Sequence, residues 1–178
     1  MKLSSVKICT IATGLIMAGH GISDDKLDQR IAHARSAAPA SIGANATVMV
    51  DGKVVAEGSN GWTCMPDTMP GDGAAMCNDA IWMKIMGAMG SKQDVKIEGV
   101  GISYMLHGDI GAGVSNSDPF HANHKGAADY VETGPHLMIA VPRELLKGMT
   151  DDPSSGGPYI MWGDTPYAHI MVPVADVD

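Results

Sequence analysis

Phenylalanine is nearly absent from this chain: Phe120 is the only one, against 14 methionines. The core volume that phenylalanine would normally fill must come in part from methionine, a flexible gap-filler whose thioether is also a soft metal donor. Basic side chains are scarce as well, with 12 Lys and Arg facing 20 Asp and Glu. Such a balance argues against nucleic acid or an anionic membrane surface as a partner, whereas small cations would be attracted. Long apolar runs are lacking too. The longest, Ile8 to Ala18, falls short of the roughly 20 residues that a membrane helix needs.

That short run has the layout of a secretory signal. Lys2 and Lys7 form a positive leading region, and Gly19 and Gly21 stand where a signal peptidase cuts, so residues 1–21 are read as a signal peptide and 22–178 as a single domain. The reading implies a periplasmic or secreted protein without stable membrane insertion once the signal is removed. Without Lys2 and Lys7 the formal charge falls from −8 to about −10. Of three cysteines, Cys9 belongs to the signal, leaving Cys64 and Cys77. Two cysteines in an exported chain most simply form one disulfide; a pair of thiolate metal ligands is the alternative.

The patterning predicts an α+β fold. Ser23 to Ala38 reads as a helix with Ser23 as N-cap and Leu27, Ile31, Ala34 and Ala38 on one stripe, stopped by Pro39. Thr47–Val50 and Lys53–Ala56 flank Asp51-Gly52, a dipeptide suited to a tight hairpin. A Pro/Gly-rich loop follows from Gly61 to Gly73. A second helix is expected over Asp79 to Met89, with Asn78 as N-cap, Gly90 as its stop and an apolar face broad enough to cover a sheet. Val95–Leu106, His136–Val141, Pro158–Trp162 and Ala168–Val174 read as strands, the last two as a hairpin. Ile110 to Thr133 reads as a long polar loop, and Pro142 opens a short helix to Lys147. The sum is an antiparallel sheet of five or six strands with one covering helix and an N-terminal helix.

The segments Asn60-Gly61-Trp62-Thr63-Cys64-Met65-Pro66-Asp67 and Gly157 to Trp162 continuing through Thr165 to Val174 carry a resemblance. They look like a group of uncharacterised exported bacterial proteins, similar over roughly residues 44–174. The resemblance implies an exported compact domain with Cys64 and Cys77 as its cysteines, and implies no catalytic residue.

Chemistry is suggested most sharply by a histidine–methionine pair repeated at one spacing: Met105-Leu106-His107, His136-Leu137-Met138 and His169-Ile170-Met171. In a strand, residues i and i+2 share a face, so each pair would present imidazole and thioether together. That donor set suits copper, above all Cu(I). The expected metal ligands are His136, Met138, His169 and Met171, with Met105 and His107 as further donors; the competing reading is ordinary core packing. Asp118, His121 and His124 form a second cluster, otherwise an exposed loop, with no HExxH pattern.

Nucleophilic catalysis has little support, because Ser154 and Ser155 lack a Gly-x-Ser-x-Gly elbow and a P-loop lysine is missing. The leading expectation is an exported binding protein for a metal ion or small molecule, with copper as the cofactor the His-x-Met pairs suit. The alternatives are a small exported enzyme using His136 or His169 as general base in a pocket walled by Trp62 and Trp162, and a non-catalytic interaction or envelope protein.

Overall fold

A computed structural model describes residues 24–175, so the expected signal peptide and the Ser23 cap lie outside the described residues. The fold is α+β, as expected, with helices α1 (Asp24–Ser36), α2 (Ala40–Gly43) and α3 (Ala80–Gly90). Among the described residues, ten strands follow the order β1 (Thr47–Val50), β2 (Lys53–Ala56), β3 (Thr63–Met65), β4 (Met76–Asn78), β5 (Gly101–Met105), β6 (Val114–Ser115), β7 (Tyr130–Val131), β8 (His136–Ala140), β9 (Tyr159–Met161) and β10 (His169–Pro173). Eight of them form one sheet in the order β2-β1-β3-β4-β5-β8-β10-β9, and β6 and β7 form a separate ribbon. Among the described residues no helix is long and apolar enough to cross a membrane.

The sheet is larger than the five or six strands expected, and it is not wholly antiparallel. The added strands, β3 and β4, lie in and just after the Pro/Gly-rich loop, and β3 runs parallel to β1. Each has only three residues, too few for alternation to register against flanking glycines and prolines. Val95–Val100, expected to start a strand, is irregular instead, and pairing begins at Gly101. The Asp51-Gly52 hairpin forms as expected, both residues having positive φ (50° and 75°), the requirement of a type I′ turn. The α3 cap is Asp79 rather than Asn78: its Oδ1 accepts from the Trp82 amide at 2.8 Å and its Oδ2 from Ile102 at 2.7 Å, so one carboxylate ties helix to strand. Asn78 is instead buried inside β4.

The disulfide Cys64–Cys77 is present, joining residues directly opposite each other on β3 and β4. It lies on the face that α1 covers, among Ala34, Val48, Val50 and Ala75. Farther along the same face, Val141, Leu146, Ile160 and Ala168 form a second cluster, next to the 3-10 turn Arg143–Leu146, which is the short helix expected after Pro142. The opposite face carries the main core, which includes Met76, Met105, Met138, Met161 and Met171, and α3 packs on it. There Gly101 is required by close approach, since a Cβ would stand 2.7 Å from the Ile81 methyl Cγ2.

Candidate functional site: a methionine-lined cavity

Sheet register decides which side chains meet on the α3 face. Ser103, Met138, Met171 and Tyr159 sit side by side on β5, β8, β10 and β9. One row along, Met105 pairs with His136, and β3 and β4 extend that row with the pair Met65 and Met76. In the other direction, His169 pairs with Met161. Met138 and Met171 are thus direct neighbours, while His136 faces Pro173 and His169 stands four residues farther along β10. At about 3.4 Å per residue, the two histidine backbones lie about 14 Å apart along the strands.

The expected four ligands therefore divide. His136, Met138 and Met171 line one cavity of about 440 Å³, together with Met105; His169 does not line it. His169 is fully buried, with Trp82 and Trp162 packed against it in T-shaped arrangements at ring separations of 5.0 and 5.1 Å. The third pair is broken up. β5 ends at Met105, and a turn in which the Gly108 amide donates to Met105 O swings His107 out to the α1 side. There it hydrogen-bonds Ser36 Oγ at 2.7 Å and lies 5.4 Å from the His33 ring.

Eight methionines line the cavity, along with Trp82 and Trp162. Its outer wall comes from Asp72 and from residues of the stretch 109–125. Trp162 takes a left-handed backbone conformation (φ 56°) that a bulky residue normally avoids. Its conformation is held by its amide on Asn116 O (2.7 Å), its Nε1–H on Ser115 O (2.9 Å), and the Thr165 amide and hydroxyl on its own carbonyl. Trp62 packs on the other face against Tyr104, so the two tryptophans do not wall one pocket.

Hydrogen bonds fix the tautomers of the buried histidines. His136 Nδ1 lies 2.7 Å from Gly134 O and His169 Nδ1 lies 3.0 Å from Tyr167 O. A carbonyl oxygen only accepts, so each ring carries its proton on Nδ1 and leaves Nε2 a bare lone pair. Metal-binding histidines are commonly oriented this way, by a backbone carbonyl on the nitrogen that does not ligate. Nε2 of His169 has no partner among the described residues. Burial pushes the His169 imidazole pKa down to about 4, and the bond to Tyr167 only partly offsets this. Burial also lowers the pKa of His136, against the pull of Asp109 and of the Gly134 carbonyl.

Asp109, missed in the sequence, lines the same cavity and is the acidic neighbour of His136. One of its oxygens accepts from the Thr133 amide at 2.6 Å, but burial raises its carboxyl pKa above the usual range. Met86 and Met89, part of the broad apolar face that the sequence shows on the second helix, line the cavity too, as do Met76 and Met161, whose only sequence signal is the excess of methionine.

The loop histidines have the opposite tautomer. His124 Nδ1 accepts from the Ser115 amide and His121 Nδ1 from the Asn123 amide, which leaves Nε2–H as a donor in each ring. Their rings are 6.0 Å apart, and Asp118 caps its own loop by accepting from Phe120 N. Among the described residues no group of three or more His, Cys, Asp or Glu side chains could hold a metal ion. Thioethers lie outside that class of donor. Ser154 bonds Asp152 at 2.6 Å rather than a histidine.

Comparison with protein-family models, curated proteins and solved structures finds no match. A wider groove of about 740 Å³ lies elsewhere, between residues 94–98 and Val141–Leu146, but Asp94, Lys96, Glu98, Arg143 and Glu144 make it a mixed-charge surface without convergent donors.

Proposed function

We propose that this is an exported binding protein whose ligand is a cuprous ion, held at the sheet side of the cavity by His136 Nε2 and the thioethers of Met105, Met138 and Met171. The observation that carries the reading is the register: Met105 is the cross-strand partner of His136, Met138 lies two residues farther along the same face, and Met171 is the cross-strand partner of Met138. Softness selects the ion. Thioethers bind Cu(I) well and Mg²⁺ or Ca²⁺ poorly, while one imidazole with a bare Nε2 adds the borderline donor that copper accepts. The proposal sets this binding in the periplasm or outside the cell, a reading supported by the expected signal peptide and by the resemblance to exported bacterial proteins.

The test is an anaerobic competition titration of the mature protein against a colorimetric Cu(I) chelator. Wild type should withdraw one ion per chain. His136→Ala should lose that ability while still giving a cooperative thermal transition as the apo protein. Unchanged affinity in His136→Ala would remove the proposal.

A second reading draws support from the cavity's size. About 440 Å³ is far more than an ion occupies and lies within the range of small-molecule sites, and methionine-rich linings adapt to varied apolar shapes. In that reading the ligand is a small apolar molecule with one polar end, oriented by His136 and Asp109. Saturable binding of an apolar fluorescent probe, unaffected by Cu(I), would favour it.

A further inference from the structure

Met69 is two-thirds exposed to water (67 %), yet it belongs to the lining of the same cavity as the buried Met105 and Met138 (3 % and 7 % exposed). An exposed apolar side chain standing alone needs no explanation. Met69 does not stand alone: Met86 and Met89 on α3, both half-buried, line the cavity with it. Methionine thus lines the cavity at every depth, from open water to the row Met76, Met105 and His136 on the sheet.

The loop carrying Met69 is tied down. The Asp72 carboxylate accepts from the amides of Thr68 (3.1 Å), Met69 (2.7 Å) and Ala74 (3.0 Å) and from the Thr68 hydroxyl. The neighbouring Asp67 accepts from Gly73 N at 2.9 Å and from Arg30 at 2.8 Å. These bonds order the backbone around a long, flexible and exposed thioether.

We propose that Met69 is the capture ligand through which a cuprous ion enters the cavity, passing by exchange over Met86 and Met89 to the site at His136. This rests on the Cu(I) reading above. Each step forms one copper–sulfur bond as another breaks; the ion stays monovalent, so no oxidant, reductant or proton is consumed. Met69 would then govern how fast the ion arrives and have little part in how tightly it is finally held.

The test is stopped-flow transfer of Cu(I) to the mature apo protein from a coloured bis-chelate, under anaerobic conditions, paired with equilibrium competition for the same proteins. Met69→Leu keeps the volume and removes the sulfur. It should slow transfer about fivefold or more while leaving stoichiometry and final affinity unchanged. Met83→Leu, on α3 but outside the cavity lining, should transfer at the wild-type rate. Wild-type transfer rates in Met69→Leu, with binding intact, would overturn the inference and leave the binding site standing. Equal slowing in Met83→Leu would also overturn it. If wild type withdraws no Cu(I) at equilibrium, the proposed function fails and the inference fails with it.

Discussion

Met138 of β8 lies directly across from Met171 of β10, and each follows by two residues a histidine whose Nδ1–H is held by a backbone carbonyl. Because the strands run antiparallel, the two His-x-Met pairs point in opposite directions about this shared pair. One histidine borders the cavity and the other lies buried against two tryptophan rings.

Exchanging Met138 or Met171 for leucine tests what the sulfurs do. The swap nearly conserves volume, so the apo protein should lose less than about 1.5 kcal/mol in urea unfolding. Cu(I) affinity should nonetheless fall on the order of tenfold in competition titrations. A stability loss with no change in affinity would assign these methionines to packing alone.

The apo protein should lose stability as the pH falls from 6.5 toward 4. His169 is neutral and buried in the folded state, with its pKa lowered to about 4, while in the unfolded chain it takes up a proton near pH 6.5. Between those values the unfolded state binds more protons, so acid favours unfolding, by roughly 3 kcal/mol at the low end. The lowered pKa of His136 acts in the same direction, whereas the raised pKa of Asp109 opposes it. Urea denaturation at several pH values should show a shallower slope for His169→Gln than for wild type; parallel curves would show that His169 is not the group responsible.

Gly108→Ala should weaken both fold and site. Gly108 has φ +71°, and a Cβ there would stand 2.8 Å from Thr133 O and from the carbonyl carbon of Gly134, whose oxygen holds His136 Nδ1. The strain should cost about 1–3 kcal/mol in chemical denaturation. Copper affinity should drop too as the His136 ring loses its orientation. Destabilisation with unaltered affinity would show that the ring does not depend on Gly134.

Reducing the disulfide should cost about 3 kcal/mol, since the bond spans a separation of 13 residues in the unfolded chain. Cys64→Ala with Cys77→Ala, compared with wild type by thermal and urea unfolding, measures this. A change under about 1 kcal/mol would show that the loop is already restrained without the bond.

Much of this fold is legible from local chemistry. Asp51-Gly52 dictates its turn, Pro39 follows α1 closely, and the breadth of apolar surface on Ala80–Gly90 marks a helix laid on a sheet. The three-residue strands β3 and β4 are not legible, because their pairing partners are remote in sequence and their flanks read as turns. The candidate site is half legible for a related reason. Residue spacing puts His136 with Met138 and His169 with Met171, each on one face, but the register between β8 and β10 is a tertiary fact. That register joins the methionines and separates the histidines. Asp109, after a turn at a strand end, has no motif around it to mark it out.

Cys64 and Cys77 occupy the rung between two others on β3 and β4: Thr63 opposite Asn78, and Met65 opposite Met76. A slip of one residue between these strands would turn Met76 toward α1 and carry Cys77 into the cavity wall. The sulfur–sulfur bond forbids that slip. It acts as an assembly gauge, admitting only the frame in which the methionine row is complete, so oxidation of two thiols on one side of the sheet certifies the lining on the other.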